Sequence, residues 1–118
     1  MAKTEHKKAN FKILIIDDSS ISTSRISESL NEVGYQAIES SNSPSEGFQM
    51  ATSDDFHLYI IDVVMPKVSG IEIAKEISAK EENSCILMIS SLDSENILIE
   101  SIASGANDFL VKPLDKQQ

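Results

Sequence analysis

The stretch ILIIDDSS, residues 13–20, contains four consecutive aliphatic residues followed directly by two acids. A short apolar run of this kind, closed by polar residues, is typical of a strand that is buried on both faces of a parallel sheet. The charges of Asp17 and Asp18 are costly there, since like charges about 4 Å apart repel by about 4 kcal/mol at an effective dielectric constant of about 20. The acid pair therefore indicates a site that needs negative charge.

Strand-like and helix-like segments alternate along the rest of the chain. Strands are predicted at 12–17, 35–40, 57–62, 85–90 and 108–112, and helices at 19–32, 43–52, 69–80 and 94–104. This βαβαβαβαβ order predicts an α/β fold with a parallel sheet. Right-handed crossover connections would place helices on both faces of that sheet.

Two local features refine these predictions. The segment Ser43-Pro44-Ser45-Glu46 has the pattern of a capping box with proline at the first helical position, so it predicts the start of the second helix. The single cysteine, Cys85, begins the fourth predicted strand and is expected to be a small core residue. One cysteine cannot form an internal disulfide, which agrees with a reducing compartment.

Composition limits the class of protein. A chain of 118 residues, of which 41% are hydrophobic, fits one domain with an ordinary core. There is no apolar run of membrane-spanning length and no secretory signal, so we expect a cytoplasmic protein without a membrane partner. The formal net charge of −9 argues against direct binding to nucleic acid.

Both ends of the chain depart from the regular pattern. Residues 1–10 are polar and are expected to be a disordered leader, which leaves one domain over 11–118. After the fifth predicted strand, Asp115 could cap a helix, but three residues follow it. We therefore expect a fifth helix to be missing or truncated, and the sheet face that it would cover to need another surface.

Polar side chains stand at the ends of four predicted strands. They are Asp17 and Asp18, Asp62, Ser90, and Lys112. Sites in open parallel sheets form beyond the carboxyl ends of the strands, so these groups are expected to converge. Three carboxylates suit Mg²⁺, which takes oxygen ligands, and a carboxylate can also accept a phosphoryl group. The set therefore predicts a magnesium-dependent phosphoryl-transfer site.

These residues, in this order and at this spacing, resemble the receiver domains of bacterial two-component response regulators. The resemblance covers residues 11 to about 114. It rests on Asp17-Asp18, Asp62-Val63-Val64-Met65-Pro66 with Gly70, Ser90, and Phe109-Leu110-Val111-Lys112-Pro113. It implies a flavodoxin-like, doubly wound sheet of five parallel strands in the order 2-1-3-4-5. Residues 11–118 would then form a receiver domain that lacks most of its C-terminal helix.

The resemblance also implies the chemistry of the acids. Asp62 would accept a phosphoryl group from a phosphohistidine on a sensor histidine kinase or a histidine phosphotransfer protein. Mg²⁺ would be ligated by Asp18, Asp62 and the backbone carbonyl of Val64, with Asp17 acting through water. Such a domain assists its own phosphorylation but is not a conventional enzyme. A homodimer is an arrangement that the family allows.

The remaining residues are implied to form the switch. Ser90 and Lys112 would bind the phosphoryl oxygens, and Phe109 would turn inward as Ser90 shifts. Val64 and Leu92 occupy the two positions that tune dephosphorylation in the family. Both are apolar here and cannot orient a water molecule, so we predict slow hydrolysis of the phosphoryl group.

Three other functions were weighed against this prediction. A phosphatase with an aspartate nucleophile would need Asp-x-Asp after the first strand, where this chain has adjacent acids. A nucleotide-binding module would need a glycine-rich phosphate loop, and Asp-Asp-Ser-Ser stands in its place. The main alternative is a degenerate receiver that acts only through protein-protein contacts, although none of the key positions is lost.

Overall fold

A five-stranded parallel sheet in the order β2-β1-β3-β4-β5 forms the centre of the molecule. The computed structural model describes residues 10–65, 68–80, 85–91 and 95–112. The strands are β1 (Ile13–Ile16), β2 (Ile38–Ser41), β3 (Leu58–Asp62), β4 (Cys85–Ser90) and β5 (Asp108–Val111). Strand β1 pairs in parallel with both β2 and β3, which confirms the predicted flavodoxin-like order.

Four helices connect the strands in the described part of the chain. They are α1 (Ser20–Glu32), α2 (Pro44–Ser53), α3 (Gly70–Lys80) and α4 (Glu95–Ala103). None of them has the length and apolar character needed to cross a bilayer. The expected leader, apart from residue 10, and the expected position of a fifth helix, 113–118, lie outside the described residues.

Each face of the sheet carries its own apolar core. Leu14 and Ile16 of β1 pack on the face that α2, α3 and α4 cover. Ile13 and Ile15, which alternate with them, pack with Ile26 of α1 on the opposite face. This alternation explains why β1 is a continuous apolar run, since both faces are buried.

Helix α1 ends in a Schellman motif centred on Gly34. Gly34 has a φ of 108°, and the N–H of Tyr35 donates to the carbonyl of Leu30 at 3.0 Å. The chain then makes another turn, in which the N–H of Ile38 donates to the carbonyl of Gln36 at 3.0 Å. Strand β2 therefore begins at Ile38, and the predicted start at residue 35 was wrong.

The predicted capping box of α2 is present only in part. Ser43 is the N-cap, and its Oγ accepts a hydrogen bond from the N–H of Glu46 at 3.3 Å. The N–H of Ser43 donates to Oγ of Ser41 at 3.2 Å. A neighbouring serine thus takes the place that the glutamate side chain has in the full motif.

Cys85 is exposed, so its predicted core position was wrong. It lies on the α1 face of β4, together with Leu87 and Ile89. Burial on this face falls from Ile89, which is buried, through Leu87, which is half-buried, to Cys85 at the end of the strand. Within the described part of the chain, this face of β4 is therefore covered near Ser90 but not at Cys85.

Candidate functional site

The ends of β1, β3, β4 and β5 bring the predicted polar residues to one edge of the sheet. Asp17, Asp62 and Ser90 are buried, whereas Asp18 is exposed. One carboxylate oxygen from each of Asp17, Asp18 and Asp62 lies within 4.8 Å of the other two. These oxygen atoms form a cluster of negative charge that is buried at Asp17 and Asp62 and exposed at Asp18.

Asp17 is held on three sides by the surrounding backbone and side chains. Its Oδ1 accepts a hydrogen bond from the N–H of Ser19 at 2.9 Å, and its own N–H donates to the carbonyl of Ser41 at 3.2 Å. Its carbonyl accepts a hydrogen bond from Nδ2 of Asn42 at 2.8 Å. The position of this buried acid is therefore set by β2 and by the start of α1.

The other carboxylate oxygen of Asp17 is less well satisfied. Oδ2 is buried and receives no well-oriented hydrogen bond from the described residues, although Lys112 Nζ lies 2.8 Å away as an ion-pair partner. A buried acceptor with spare capacity, beside two further carboxylates, suits a hard cation. The residues present therefore fit Mg²⁺.

Lys112 connects the acids to β4. Its Nζ lies 2.8 Å from Oδ2 of Asp17 and 3.5 Å from Oδ2 of Asp62. Its backbone N–H donates to the carbonyl of Ser90 at 2.7 Å. The lysine and the serine predicted to act on one ligand are therefore linked through the backbone.

Burial and charge determine the protonation of the site. Burial raises the pKa of Asp62 to about 6, the charges of Asp17 and Asp18 add to this rise, and Lys112 opposes it. Burial lowers the pKa of Lys112, but its ion-pair contacts with Asp17 and Asp62 outweigh that effect, so the pKa is raised. Lys112 therefore remains charged at neutral pH, and Asp62 gains a proton more readily than an ordinary aspartate does.

Gly70 allows the first turn of α3 to pack against the end of β3. Its N–H donates to the carbonyl of Val63 at 2.9 Å. A Cβ atom at this position would overlap the carbonyl oxygen of Asp62. The absence of a side chain therefore fixes the path of the backbone that carries the acid.

The structure describes only some of the other residues that the resemblance singled out. Phe109 is half-buried and packs against the core on the side of α2, α3 and α4. The side chain of Val64 is 52% exposed. Leu92 and Pro113 lie outside the described residues, as does Pro66.

One site residue was not found from the sequence. Asn42 follows β2, whose carboxyl end lies at the same edge of the sheet as Asp17. The signal was present, since the polar run Ser41-Asn42-Ser43 follows a predicted strand. Within that run, residue type and spacing do not mark Asn42, because it is uncharged and its amide binds a backbone carbonyl at the end of another strand.

The doubly wound sheet and the carboxylate cluster at its edge define the molecule as a flavodoxin-like protein with an acidic site at the strand ends. The chain belongs to the family of response regulator receiver domains, whose family model matches residues 13–118. It is thus a receiver domain of two-component signalling, a family in which phosphorylation of an aspartate and Mg²⁺ are typical.

Two curated relatives illustrate the family. Chemotaxis protein CheY of Treponema pallidum (strain Nichols) is 29% identical over 112 residues, which are 93% of this chain and 78% of that protein. Transcriptional regulatory protein HprR of Escherichia coli (strain K12) is 30% identical over 102 residues. That match covers 86% of this chain but 45% of the regulator. Relatives thus include proteins of similar length and much longer ones.

Solved structures agree with this assignment. The CheX-CheY-BeF3-Mg²⁺ complex from Borrelia burgdorferi contains a chain with a TM-score of 0.84 and 28% identity, and the match covers 91% of this chain and 81% of that one. Vibrio cholerae chemotaxis protein CheY4, crystallised at low pH, has a TM-score of 0.81 and 30% identity, with coverage of 90% and 89%. Both support the strand order described above.

Proposed function

We propose that this chain is a phosphorylation-dependent switch whose acceptor is Asp62. The phosphoryl donor would be a phosphohistidine on a sensor histidine kinase or a histidine phosphotransfer protein. One observation carries the proposal: three carboxylates lie within 4.8 Å of one another, and Lys112 Nζ lies 3.5 Å from Asp62. This combination of acids and a fixed cation suits the positioning and charge neutralisation that phosphoryl transfer requires.

Asp62 is the best nucleophile of the three acids. Asp17 already binds the N–H of Ser19 and lies closer to the lysine, at 2.8 Å. A carboxyl group with a pKa of about 6 is mostly ionised at neutral pH yet is more basic than an ordinary aspartate. Its oxygen would attack phosphorus, the phosphorus–nitrogen bond of the phosphohistidine would break, and an acyl phosphate would form as the imidazole leaves.

The acids also supply a magnesium site. Asp18, Asp62 and the backbone carbonyl of Val64 would bind Mg²⁺ directly, and Asp17 would act through water. When bound, Mg²⁺ neutralises charge on the phosphoryl oxygens and on the carboxylates. The structural support is the buried Oδ2 of Asp17, which has Lys112 Nζ as an ion-pair partner at 2.8 Å and lies next to two further acids.

Lys112 and Ser90 would detect the phosphoryl group. Phosphorylation adds roughly −1.5 to −2 charges and strong acceptor oxygens at Asp62. The lysine would then move from Asp17 toward the phosphoryl oxygens, and the serine hydroxyl would bind the same group. The hydrogen bond between the Lys112 N–H and the Ser90 carbonyl joins β4 and β5, so these movements would be coupled.

The output would be a change in the surface formed by α4 and β5. Movement of Ser90 would make room for Phe109, and the population would shift between two states. Exposed apolar side chains lie on α4, at Leu98, Ile99 and Ile102, and Val111 is exposed on the face of β5 that α4 covers. A protein partner or a second copy of the chain would bind there, since contiguous apolar surface favours protein association. We propose no direct contact with nucleic acid.

The degenerate receiver is the weaker proposal. It would bind partners without phosphorylation, and such domains usually lack one of the key site residues. Here the acid pair, Asp62, Ser90 and Lys112 are all present at the strand ends. No observation on the described residues favours that alternative.

The proposal is tested by intact mass measurement after incubation with acetyl phosphate. Wild type and Asp62→Asn are compared with Mg²⁺ and with a chelator. We expect one phosphoryl adduct on the wild type, only when Mg²⁺ is present. An equal adduct on Asp62→Asn would contradict the assignment of the acceptor, and no adduct on either protein, with unchanged circular dichroism, would favour the degenerate receiver.

A further inference from the structure

We propose that Asn42 is a positioning residue that sets the orientation of the acid pair for metal binding. The inference rests on the proposed function of the site. The side-chain amide of Asn42 donates to the carbonyl of Asp17 at 2.8 Å and lies 3.3 Å from Oγ1 of Thr23. These two contacts join the loop after β2 to the end of β1 and to α1.

The carbonyl of Asp17 lies where the β1–β2 ladder stops. The Ile13 N–H donates to Ala37 and the Asp17 N–H to Ser41, following the alternation of a parallel ladder. If the ladder continued, the carbonyl of Asp17 would accept a hydrogen bond from the N–H of Ser43. That N–H donates to Oγ of Ser41 instead, at 3.2 Å. The Asn42 amide therefore replaces a backbone donor that has turned away.

This hydrogen bond orients both acids together. The carbonyl of Asp17 and the N–H of Asp18 belong to one planar peptide unit, so fixing the carbonyl fixes the direction in which the chain enters Asp18. Asp17 is buried and Asp18 is exposed, and their carboxylate oxygens lie within 4.8 Å of each other. A rotation of the peptide plane would separate them.

The contact with Thr23 strengthens this arrangement. Thr23 is buried in the first turn of α1, and its hydroxyl donates to the carbonyl of Ser20 at 3.0 Å. The same end of the helix includes Ser19, whose N–H binds Oδ1 of Asp17. The carbonyl and the carboxylate of Asp17 are therefore held by one connected group of contacts.

A positioning role differs in its consequences from a purely structural one. If Asn42 only stabilised the loop, its loss would lower the unfolding midpoint without changing the Mg²⁺ affinity of the folded protein. If it orients the acids, Asn42→Leu, which has a similar shape but no donor, binds Mg²⁺ about tenfold more weakly, as is typical when a group supporting a metal ligand is lost. Asn31→Leu is the matched control, because the Asn31 amide donates to Ser27 on the exposed side of α1.

The test is calorimetric titration of the metal-free proteins with MgCl₂, with thermal unfolding measured on the same samples. We expect weaker binding for Asn42→Leu, an intermediate effect for Thr23→Val, and no effect for Asn31→Leu. A dissociation constant for Asn42→Leu within about twofold of wild type overturns the inference, since this is well below the loss typical of such groups. If Asn42→Leu does not fold, Asn42→Ser provides the comparison.

Two outcomes separate this inference from the proposed function. Weaker Mg²⁺ binding by Asn42→Leu, together with no phosphoryl adduct on wild type, would support the positioning role and contradict phosphoryl transfer. A phosphoryl adduct on wild type, together with unchanged Mg²⁺ affinity in Asn42→Leu, would support phosphoryl transfer and contradict the positioning role. Absence of Mg²⁺ binding by the wild type would contradict both.

Discussion

The ammonium group of Lys112 pairs with the buried carboxylate of Asp17 at 2.8 Å and lies farther, at 3.5 Å, from Asp62. In the unphosphorylated chain the lysine is therefore closer to Asp17 than to the proposed acceptor. Phosphorylation of Asp62 would require Lys112 to change partners. This exchange links the charge of the site to the end of β5.

Removal of the lysine is expected to destabilise the protein and to increase the effect of magnesium. Lys112→Met leaves the Asp17 carboxylate buried without its cation, which costs about 2 to 4 kcal/mol of unfolding free energy. Added Mg²⁺ should restore more stability in this variant than in wild type, because it supplies the missing positive charge. Urea unfolding with and without Mg²⁺ measures both effects. Lys75→Met, on the exposed side of α3, is the control. An equal loss of unfolding free energy in both variants would contradict a stabilising role of the ion pair between Lys112 and Asp17.

Replacement of the acceptor is expected to stabilise the metal-free protein at neutral pH. The folded pKa of Asp62, about 6, is above its unfolded value. The group therefore contributes stability that is fully present below the unfolded pKa, about 4, and is lost as pH rises through about 6. Asp62→Asn avoids this loss and should be more stable than wild type by about 1 to 2 kcal/mol at pH 7.5, after allowance for solvent screening.

The advantage of Asp62→Asn should shrink as pH falls from 7.5 toward 4. Urea unfolding in a chelator at several pH values measures this change. Glu28→Gln, an exposed acid on α1, serves as the control and should show no such trend. If wild type were more stable than Asp62→Asn at pH 7.5, the surroundings would not disfavour the ionised form of Asp62, and the prediction would be wrong.

Magnesium binding is expected to weaken in mildly acidic solution. A proton on Asp62 competes with the metal, and a group with a pKa of about 6 is ionised in roughly one molecule in eleven at pH 5. The dissociation constant should therefore rise about tenfold between pH 7.5 and pH 5, as measured by calorimetry. Asp62→Asn should bind more weakly at both pH values and depend less on pH. An equally steep pH dependence in that variant would assign the competing proton to another group.

Gly70 is expected to tolerate no side chain. Because a Cβ atom there overlaps the backbone of Asp62, Gly70→Ala should lower the unfolding free energy by about 3 kcal/mol or more. Gly47→Ala is the matched comparison, since its Cβ would meet the side chain of Ile16, at 2.7 Å from Cγ2, rather than backbone. It should cost about 1 kcal/mol if that side chain adjusts. Equal losses would mean that the β3–α3 connection shifts easily.

The phosphoryl group is expected to be long-lived. The exposed side chain of Val64, two residues after Asp62, is apolar and cannot hold an attacking water molecule by a hydrogen bond. Loss of the adduct, followed by intact mass after removal of the donor, should take far longer than seconds. Val64→Gln should shorten the lifetime severalfold, and a wild-type half-life of seconds would contradict the prediction.

The parallel sheet and the location of the site could be predicted from the residues for a clear physical reason, whereas the strand order was implied by the resemblance to receiver domains. Strands β1, β3 and β4 are mostly buried apolar runs, and the carboxyl ends of parallel strands lie at one edge of the sheet, so the acids that follow β1 and end β3, and the serine that ends β4, had to meet. The start of β2 was predicted wrongly because residues with strand-forming character belong instead to the Schellman motif at Gly34 and to the turn at Gln36.

Other features depend on contacts between distant segments and could not be predicted. The preference of Lys112 for Asp17 reflects the position of β5 beside β4. The exposure of Cys85 depends on which described segments pack over that end of β4. The role inferred for Asn42 arises where the ladder between β1 and β2 stops. These three features could not be predicted because sequence patterns give the spacing of residues within one segment, whereas each feature depends on how two segments pack together.

The central claim is that Asp62 carries the phosphoryl group. Its most direct test is peptide mass spectrometry after phosphorylation with acetyl phosphate and Mg²⁺, followed by borohydride reduction, which converts an aspartyl phosphate to homoserine. We predict homoserine at position 62, with Asp17 and Asp18 unchanged. Homoserine at position 17 or 18, or an adduct on another type of residue, would contradict the account.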